Sequence, residues 1–132
     1  MFAIVDPEHP MTTRQDLIDI AARLEGTVVG EGEQFALGFI VKGKHRGYCW
    51  SWLERLEPKK KRIPNDRVLA VRVPNLEIKE MLLAANPDTM FTEPHYDGYA
   101  AVLVRLDLIT PEDLEPLLAE AAACTLTKKS KR

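Results

Sequence analysis

The sequence predicts a two-layer α+β domain in which three helices pack on an antiparallel sheet of about five strands. Amphipathic segments of helical period lie near both ends of the chain and once between strands. A run of about four strand segments, separated by short turns, lies between the first two helices. Strands joined by short turns pair antiparallel, because a parallel partner needs a long crossover. The expected order is therefore α-β(4)-α-β-α.

The composition is that of one ordinary globular domain. The chain has 132 residues, of which 45% are hydrophobic and 29% charged, and domains commonly contain about 100–200 residues. We expect a flexible leader over residues 1–11, a single domain over 12–127 and a basic tail over 128–132. No apolar run approaches the roughly 20 residues that span a bilayer, and the 2 cysteines make no disulfide framework. A cytoplasmic protein with no membrane partner is the expectation.

Each predicted helix has a capping residue at its start. Thr12 is the expected cap of a first helix over residues 13–24. Asn75 is the expected cap of a second helix over 76–86, and Thr110 precedes the third. The expected core takes one leucine from each helix and one from the last strand: Leu17, Leu82, Leu103 and Leu117.

The strand segments are rich in aromatic and branched side chains and cover residues 35–41, 48–53, 68–73 and 99–106. Residues 42–47 contain the glycines of a hairpin turn, and residues 57–66 have the composition of a polar loop. Alternation within the second segment predicts that Tyr48, Trp50 and Trp52 share one face of a strand.

Basic residues cluster inside an otherwise acidic chain. Residues 42–72 contain ten Lys/Arg against three Asp/Glu, residues 128–132 contain four more cations, and the remainder has 4 basic and 17 acidic side chains. Such clusters indicate an anionic partner better than the net charge of −2 does, although they are also typical of solvated loops. The candidate DNA-phosphate contacts are Lys42, Lys44, Arg46, Lys59, Lys60, Lys61 and Arg62.

The densest polar and aromatic cluster lies in residues 91–99. Its side chains Glu93, His95, Tyr96 and Asp97 suit acid–base chemistry, a contribution to a metal site, or a purely structural loop. No His-Glu-x-x-His motif and no paired Cys-x-x-Cys motif accompanies them. We therefore expect no enzyme activity, no metal and no cofactor.

The two tryptophans also have two interpretations. Beside the cations of residues 42–46, the rings of Trp50 and Trp52 are suited to stacking on bases while the cations hold phosphates. On one face of a strand, the same two rings are more typical of core packing, and they are also candidates for the wall of a pocket.

Three stretches of the chain resemble the MmcQ/YjbR-like proteins. The first is the stretch 91–106, which begins with Phe-Thr-Glu-Pro-His-Tyr-Asp-Gly-Tyr at residues 91–99. The other two are Cys-Trp-Ser-Trp-Leu-Glu-Arg at 49–55 and Leu-Ala-Val-Arg-Val-Pro at 69–74. The resemblance covers about residues 12–127. It implies a compact fold similar to the type III secretion chaperones and a DNA-binding role, and it supplies no catalytic residues.

Three functional hypotheses follow from these observations. The first is a non-catalytic DNA-binding or regulatory domain that contacts phosphates through basic hairpin loops. The second is a protein-interaction module, similar to a chaperone, that uses the sheet face or a strand edge. The third is a small-molecule pocket around His95, Tyr96 and Trp50.

Overall fold

The computed structural model describes residues 11–30, 32, 34–54 and 63–127. The helices are α1 (Arg14–Ala22), α2 (Leu76–Ala85) and α3 (Pro111–Thr127). The strands are β1 (Val28–Val29), β2 (Ala36–Val41), β3 (Lys44–Glu54), β4 (Ile63–Arg72), β5 (Met90–Phe91) and β6 (Ala101–Arg105). All neighbouring strands pair antiparallel, in the spatial order β1-β2-β3-β4-β6-β5. The predicted α+β class is confirmed.

The sheet differs from the prediction at its edges and in its connections. The described chain forms six strands rather than about five. Four lie between α1 and α2, as predicted, and two rather than one lie between α2 and α3, because the two-residue strand β5 adds to one edge. β3 already begins at Lys44, so the β2–β3 turn is shorter than predicted. β4 begins at Ile63, so residues 63–66 are strand instead of polar loop. Residues 1–10, the four-cation run at 59–62 and the tail at 128–132 lie outside the described residues.

The three helices pack on one face of the sheet and enclose the larger core. This core is made of alternate side chains from β2, β4 and β6 together with the apolar stripes of α1 and α3. Its fully buried members include Ile20, Leu37, Leu69, Val71, Val102, Val104, Leu114 and Leu118. Leu17 belongs to it as predicted, whereas Leu82 and Leu117 are only partly buried against it.

The opposite face of the sheet, called here the second face, has its own smaller cluster. Leu103 is fully buried there with Ala70, Ala101 and Tyr96. The prediction placed Leu103 in the same core as the helix leucines. It was wrong because Leu103 alternates with Val102 and Val104 along β6, and those two valines face the helices.

A β-bulge in β3 decides which aromatic side chains reach the second face. Leu37 pairs with Cys49 and Gly38 pairs with Gly47, so Tyr48 is an extra residue in β3. Tyr48 and Cys49 therefore both belong to the helix-side core, whereas Trp50 belongs to the second face. The predicted single face for Tyr48, Trp50 and Trp52 is correct for the tryptophans and wrong for Tyr48.

The caps agree with the sequence at two helices and shift by one residue at the first. Asn75 accepts a hydrogen bond from the Ile78 backbone N–H, and Thr110 accepts one from Asp113. Thr13, rather than Thr12, caps α1. Thr12 is fully buried, and its hydroxyl instead donates to the carbonyl of Ile109. That bond ties the entry of α1 to the connection that precedes α3.

Replacing Gly38 with alanine should destabilise the domain. A Cβ at this position would overlap the carbonyl oxygen of Arg46 and lie 2.7 Å from the Cα of Gly47. We expect Gly38→Ala to lower the free energy of unfolding by about 1–3 kcal/mol, as measured by chemical denaturation. Gly98→Ala is the matched control, because its Cβ would meet nothing within 4 Å. Equal stability of the two variants would contradict the assigned strand register.

Leu103→Ala should be costly although Leu103 lies outside the larger core. The side chain is fully buried, and such truncations cost about 2–5 kcal/mol. Met81→Ala is the control, because Met81 is 60% exposed on α2. A loss below about 1 kcal/mol for Leu103→Ala, measured in the same denaturant series, would show that the second face is not packed as described.

Candidate functional site

The second face contains a groove with an aromatic wall and a floor of small residues. Ala36 on β2 and Gly47 on β3 leave the floor low, and Trp50 and Tyr99 rise beside them. The groove has a volume of about 420 Å³, within the roughly 300–1,000 Å³ of small-molecule clefts. It is lined by Gln34, Ala36, His45, Gly47, Trp50, Leu53, Arg72, His95, Tyr96 and Tyr99.

Trp50 is held at the centre of this groove. Its indole N–H donates to the Tyr96 hydroxyl at 3.0 Å, and Tyr96 is buried. The Trp50 and Tyr99 rings lie 6.4 Å apart at 48°, so they form two adjoining walls rather than a parallel sandwich. Tyr99 is 41% exposed, which leaves much of its ring accessible from solvent.

Arg72 joins the two aromatic walls. Its guanidinium carbon lies 5.3 Å from the Trp50 ring centroid and 5.8 Å from that of Tyr99, within cation–π range. Its Nε donates to the carbonyl of Gly47 at 3.2 Å. In the part of the chain that the structure describes, its Nη groups have no hydrogen-bond acceptor. Arg72 therefore presents a positioned fork of N–H donors at the rim of the groove.

The segment of residues 92–100 forms the far wall and is anchored by Glu93. One Glu93 carboxylate oxygen accepts from the His95 backbone N–H at 2.6 Å, and the other accepts from the Trp52 indole at 3.1 Å. Thr92 donates to Asp97 at 3.4 Å. The carboxylates of Glu93 and Asp97 are therefore already hydrogen-bonded, and both side chains hold the loop in place.

Lys79 fastens the same segment from the side of α2. It is 3% exposed, and its ammonium donates to the carbonyls of Tyr96 and Tyr99 at 2.5 and 2.9 Å. Burial lowers the pKa of Lys79, and the charge of Asp97 partly opposes that shift. Lys79 can be buried on α2 because its bonds to the loop satisfy its ammonium.

Two histidines border the groove in different states of bonding. The Nε2 of His45 lies 2.9 Å from the carbonyl of Val28, and a carbonyl can only accept, so Nε2 carries the proton and Nδ1 is left for another partner. His95 is exposed, and its ring touches the edge of Tyr96. Within residues 63–127 and the other described stretches, no group hydrogen-bonds the His95 imidazole.

A basic concavity adjoins the groove at the hairpin end of the sheet. The β2–β3 turn consists of Lys42 and Gly43, both at positive φ (53° and 81°), as a type I′ hairpin requires. The concavity, with a volume of about 540 Å³, is lined by Val41, Lys42, Lys44, His45, Arg46 and Arg72. Arg72 and His45 line both depressions, so the two meet at these side chains. Lys44 and Arg46 pair with Val41 and Phe39 and therefore leave β3 on the side opposite His45.

The structure brings together only part of the predicted basic set. Lys42, Lys44 and Arg46 share the concavity. The run Lys59, Lys60, Lys61 and Arg62 lies outside the described residues. Lys44 and Glu54 are the two ends of β3, roughly 33 Å apart at the usual rise of a strand. Glu54, the last described residue before that run, therefore lies at the end of β3 opposite the hairpin.

Several groove residues were not singled out from the sequence. Arg72, Tyr99, His45 and Gln34 come from four different segments, and only strand pairing brings them together. One signal was readable: Arg72 is a cation inside the apolar strand segment 68–73, and such a residue needs a specific partner.

Other reactive side chains lie away from the groove. Cys49 is fully buried, and burial raises the pKa of its thiol. Burial also raises the pKa of Tyr48 to about 12, against a hydrogen bond to Thr27. The described residues contain no group of three or more His, Cys, Asp or Glu that could hold a metal ion, and none of their helices is long and apolar enough to cross a bilayer.

Lys79→Met should loosen the segment that walls the groove. Methionine retains the apolar stem but leaves two backbone carbonyls without their donor. We expect a loss of about 1–3 kcal/mol in the free energy of unfolding, together with faster amide exchange in residues 92–100. Glu80→Gln, on the exposed side of α2, is the control. Unchanged stability and exchange in Lys79→Met would contradict the anchoring role.

Comparison with known proteins gives relatives whose names assign no activity. No family model matches the chain. The uncharacterized proteins Mb2600 of Mycobacterium bovis and Rv2570 of Mycobacterium tuberculosis are each 48% identical over 58 residues, which cover 44% of this chain and 45% of each relative. The match thus spans less than half the length of these relatives.

One solved structure shares the fold. The crystal structure of Deinococcus radiodurans protein DR2400, a DUF419 domain, superposes with a TM-score of 0.66. The superposition covers 94% of this chain and 85% of that chain at 22% sequence identity. The likeness establishes the fold.

Proposed function

We propose that this chain is a non-catalytic DNA-binding domain of the MmcQ/YjbR-like kind, in which the β2–β3 hairpin contacts phosphates. The family assignment is supported by the motif at residues 91–99 and by the fold shared with a DUF419 domain, a family related to MmcQ/YjbR. The binding proposal is carried by one observation, the basic concavity at the hairpin end of the sheet.

The concavity is lined by four cations and a histidine, and no carboxylate is among its described lining residues. Elsewhere in the described chain, cations are already engaged. Arg23 pairs with Glu115 at 2.7 Å and Arg67 with Asp107 at 3.1 Å. Lys42, Lys44 and Arg46 form no ion pair within the described residues. Cations held together without counterions are suited to replacing the cations that surround a phosphate backbone.

The acidic remainder of the chain complements this patch. With 17 acidic and 4 basic side chains outside residues 42–72 and 128–132, the rest of the surface repels a polyanion. The domain should therefore approach DNA with the hairpin first. Such contacts set affinity and orientation and carry no base information.

Neutralising the hairpin should lower the salt dependence of DNA binding. The combined variant Lys42→Gln, Lys44→Gln and Arg46→Gln removes up to three phosphate contacts. The slope of log K against log salt should fall by at most about 2.7 on duplex DNA and about 2.1 on single strands. Fluorescence anisotropy at several salt concentrations measures both slopes, and affinity should fall by similar factors on unrelated sequences.

The control removes two cations from elsewhere on the surface. Arg23→Gln combined with Arg67→Gln changes the net charge without touching the hairpin, and exposed ion pairs contribute only about 0–1 kcal/mol to stability. Its slope should match the wild type. If the wild type binds no DNA even at about 50 mM salt, or if the hairpin variant keeps the full slope, the proposal is wrong.

A further inference from the structure

We propose that the groove beside the hairpin binds an unpaired nucleobase, so that the DNA form this domain prefers is single-stranded. This inference rests on the proposed function and specifies its ligand. The observation that carries it is the direct contact between two different surfaces. The basic concavity and the aromatic groove share Arg72 and His45, so a chain with phosphates in one can place a base in the other.

The aromatic wall is suited to stacking. Tyr99 exposes 41% of its surface at the mouth of the groove, and its ring adjoins Trp50 at 6.4 Å. The low floor at Ala36 and Gly47 leaves room beside these rings. A base stacked on a protein aromatic ring contributes about 1–3 kcal/mol whatever its identity, so binding at this wall does not require a particular base.

Arg72 lies where the base and the phosphate of one nucleotide would meet. Its guanidinium contacts both rings and is oriented by the Gly47 carbonyl. Its Nη donors have no acceptor in the described chain, and they have the planar fork that matches phosphate oxygens. Arg72 can therefore bind a phosphate while its plane extends the stacking surface.

The polar groups around the groove suit the edge of a base. Gln34 donates from its amide to the carbonyl of Ser51 at 2.7 Å, which fixes the orientation of its side chain. The Nδ1 atom of His45 is not used in the bond to Val28 and can accept a hydrogen bond, and the His95 imidazole is exposed. Bases offer both donors and acceptors on their edges, whereas an acidic peptide would use the cations and leave these groups and the ring faces without a partner.

A single strand suits this surface better than a duplex or a free nucleotide. The bases of a duplex are already stacked on one another and cannot reach a groove on a sheet face without being extruded. A free nucleotide has one phosphate group, whereas Lys42, Lys44 and Arg46 continue the positive surface beyond Arg72. In a strand, the phosphates of the neighbouring nucleotides would contact these further cations.

The test compares three labelled probes at about 50 mM salt. They are a thymidine strand of about 12 nucleotides, within the usual range of site sizes, an abasic strand of the same length and the matching duplex. Stacking of one base should make the thymidine strand bind roughly 5- to 150-fold more tightly than the abasic strand. The abasic strand and the duplex should bind only through phosphate contacts.

Tyr99→Leu and Tyr99→Phe form the matched pair of variants. Leucine removes the aromatic face at this exposed position, and phenylalanine keeps it. Tyr99→Leu should bring the affinity for the thymidine strand toward that of the abasic strand and leave the abasic affinity unchanged. Tyr99→Phe should behave as wild type. Because the backbone carbonyl of Tyr99, and not its side chain, receives Lys79, neither variant removes the loop anchor.

Tryptophan fluorescence provides a direct readout of the groove. The chain has 2 tryptophans, and Trp52 packs edge-on against Phe91 at 5.6 Å. Trp52→Phe keeps an aromatic ring there and leaves Trp50 as the sole tryptophan, but it removes the indole hydrogen bond to Glu93. The variant therefore serves as the reporter only after its affinity for the thymidine strand has been matched to that of the wild type. The thymidine strand should quench Trp50, and the abasic strand should not.

The outcomes separate the two proposals. If none of the three probes binds, the proposed function fails and this inference fails with it. If all three bind equally, Tyr99→Leu has no effect and Trp50 is not quenched, DNA binding stands and the groove is not a base site. If thymidine monophosphate quenches Trp50 as strongly as the strand at equal concentration, the groove is a free-nucleotide site and the single-strand assignment is overturned.

Discussion

The close approach of Gly38 to the Arg46–Gly47 backbone is the constraint on which the layout of both sheet faces depends. It accommodates the extra residue in β3, and that residue inverts the alternation of the strand between Gly47 and Trp50. Before the bulge, His45 and Gly47 lie at the groove; after it, Trp50 lies there and Tyr48 is buried under the helices. A regular strand continuing from His45 and Gly47 would keep Tyr48 and Trp50 on one face, so Trp50 would lie under the helices with Tyr48 and not in the groove.

The two faces of the sheet are packed in different ways. The helix face is packed with aliphatic side chains from α1 and α3, and it provides the larger core. The second face is packed locally, by Leu103 and Tyr96. Glu93 bonds the segment of residues 92–100 to Trp52 on that face, and Lys79 bonds the same segment to α2. The groove is therefore bordered on one side by β-strands and on the other by a loop that is tied down at several points, so its walls are held in place before any ligand arrives.

Much of the fold could be predicted from the sequence because local signals agree with it. The caps at Asn75 and Thr110 and the apolar stripes of α1 and α3 predict their helices, and short connections predict antiparallel pairing. The bulge could not be predicted, because it depends on the pairing of Gly38 with Gly47 across two strands. The groove was predicted in part. Trp50, His95 and Tyr96 were named together from the sequence, whereas the place of Arg72 in the groove depends on how β4 pairs with its neighbouring strands. The fold shared with a DUF419 domain agrees with the predicted α+β class.

The two edges of the sheet have a consequence for the behaviour of the protein at high concentration. Within the described residues, the outermost strands are β1 and β5, and each has only two residues. An unpaired strand edge is the template on which β-rich chains add to one another and grow into fibres, and its capacity depends on how many backbone groups stand in register. Edges this short offer few such groups, so polymerisation by strand addition has little to build on at either side, even though Val28 and Val29 expose apolar surface there.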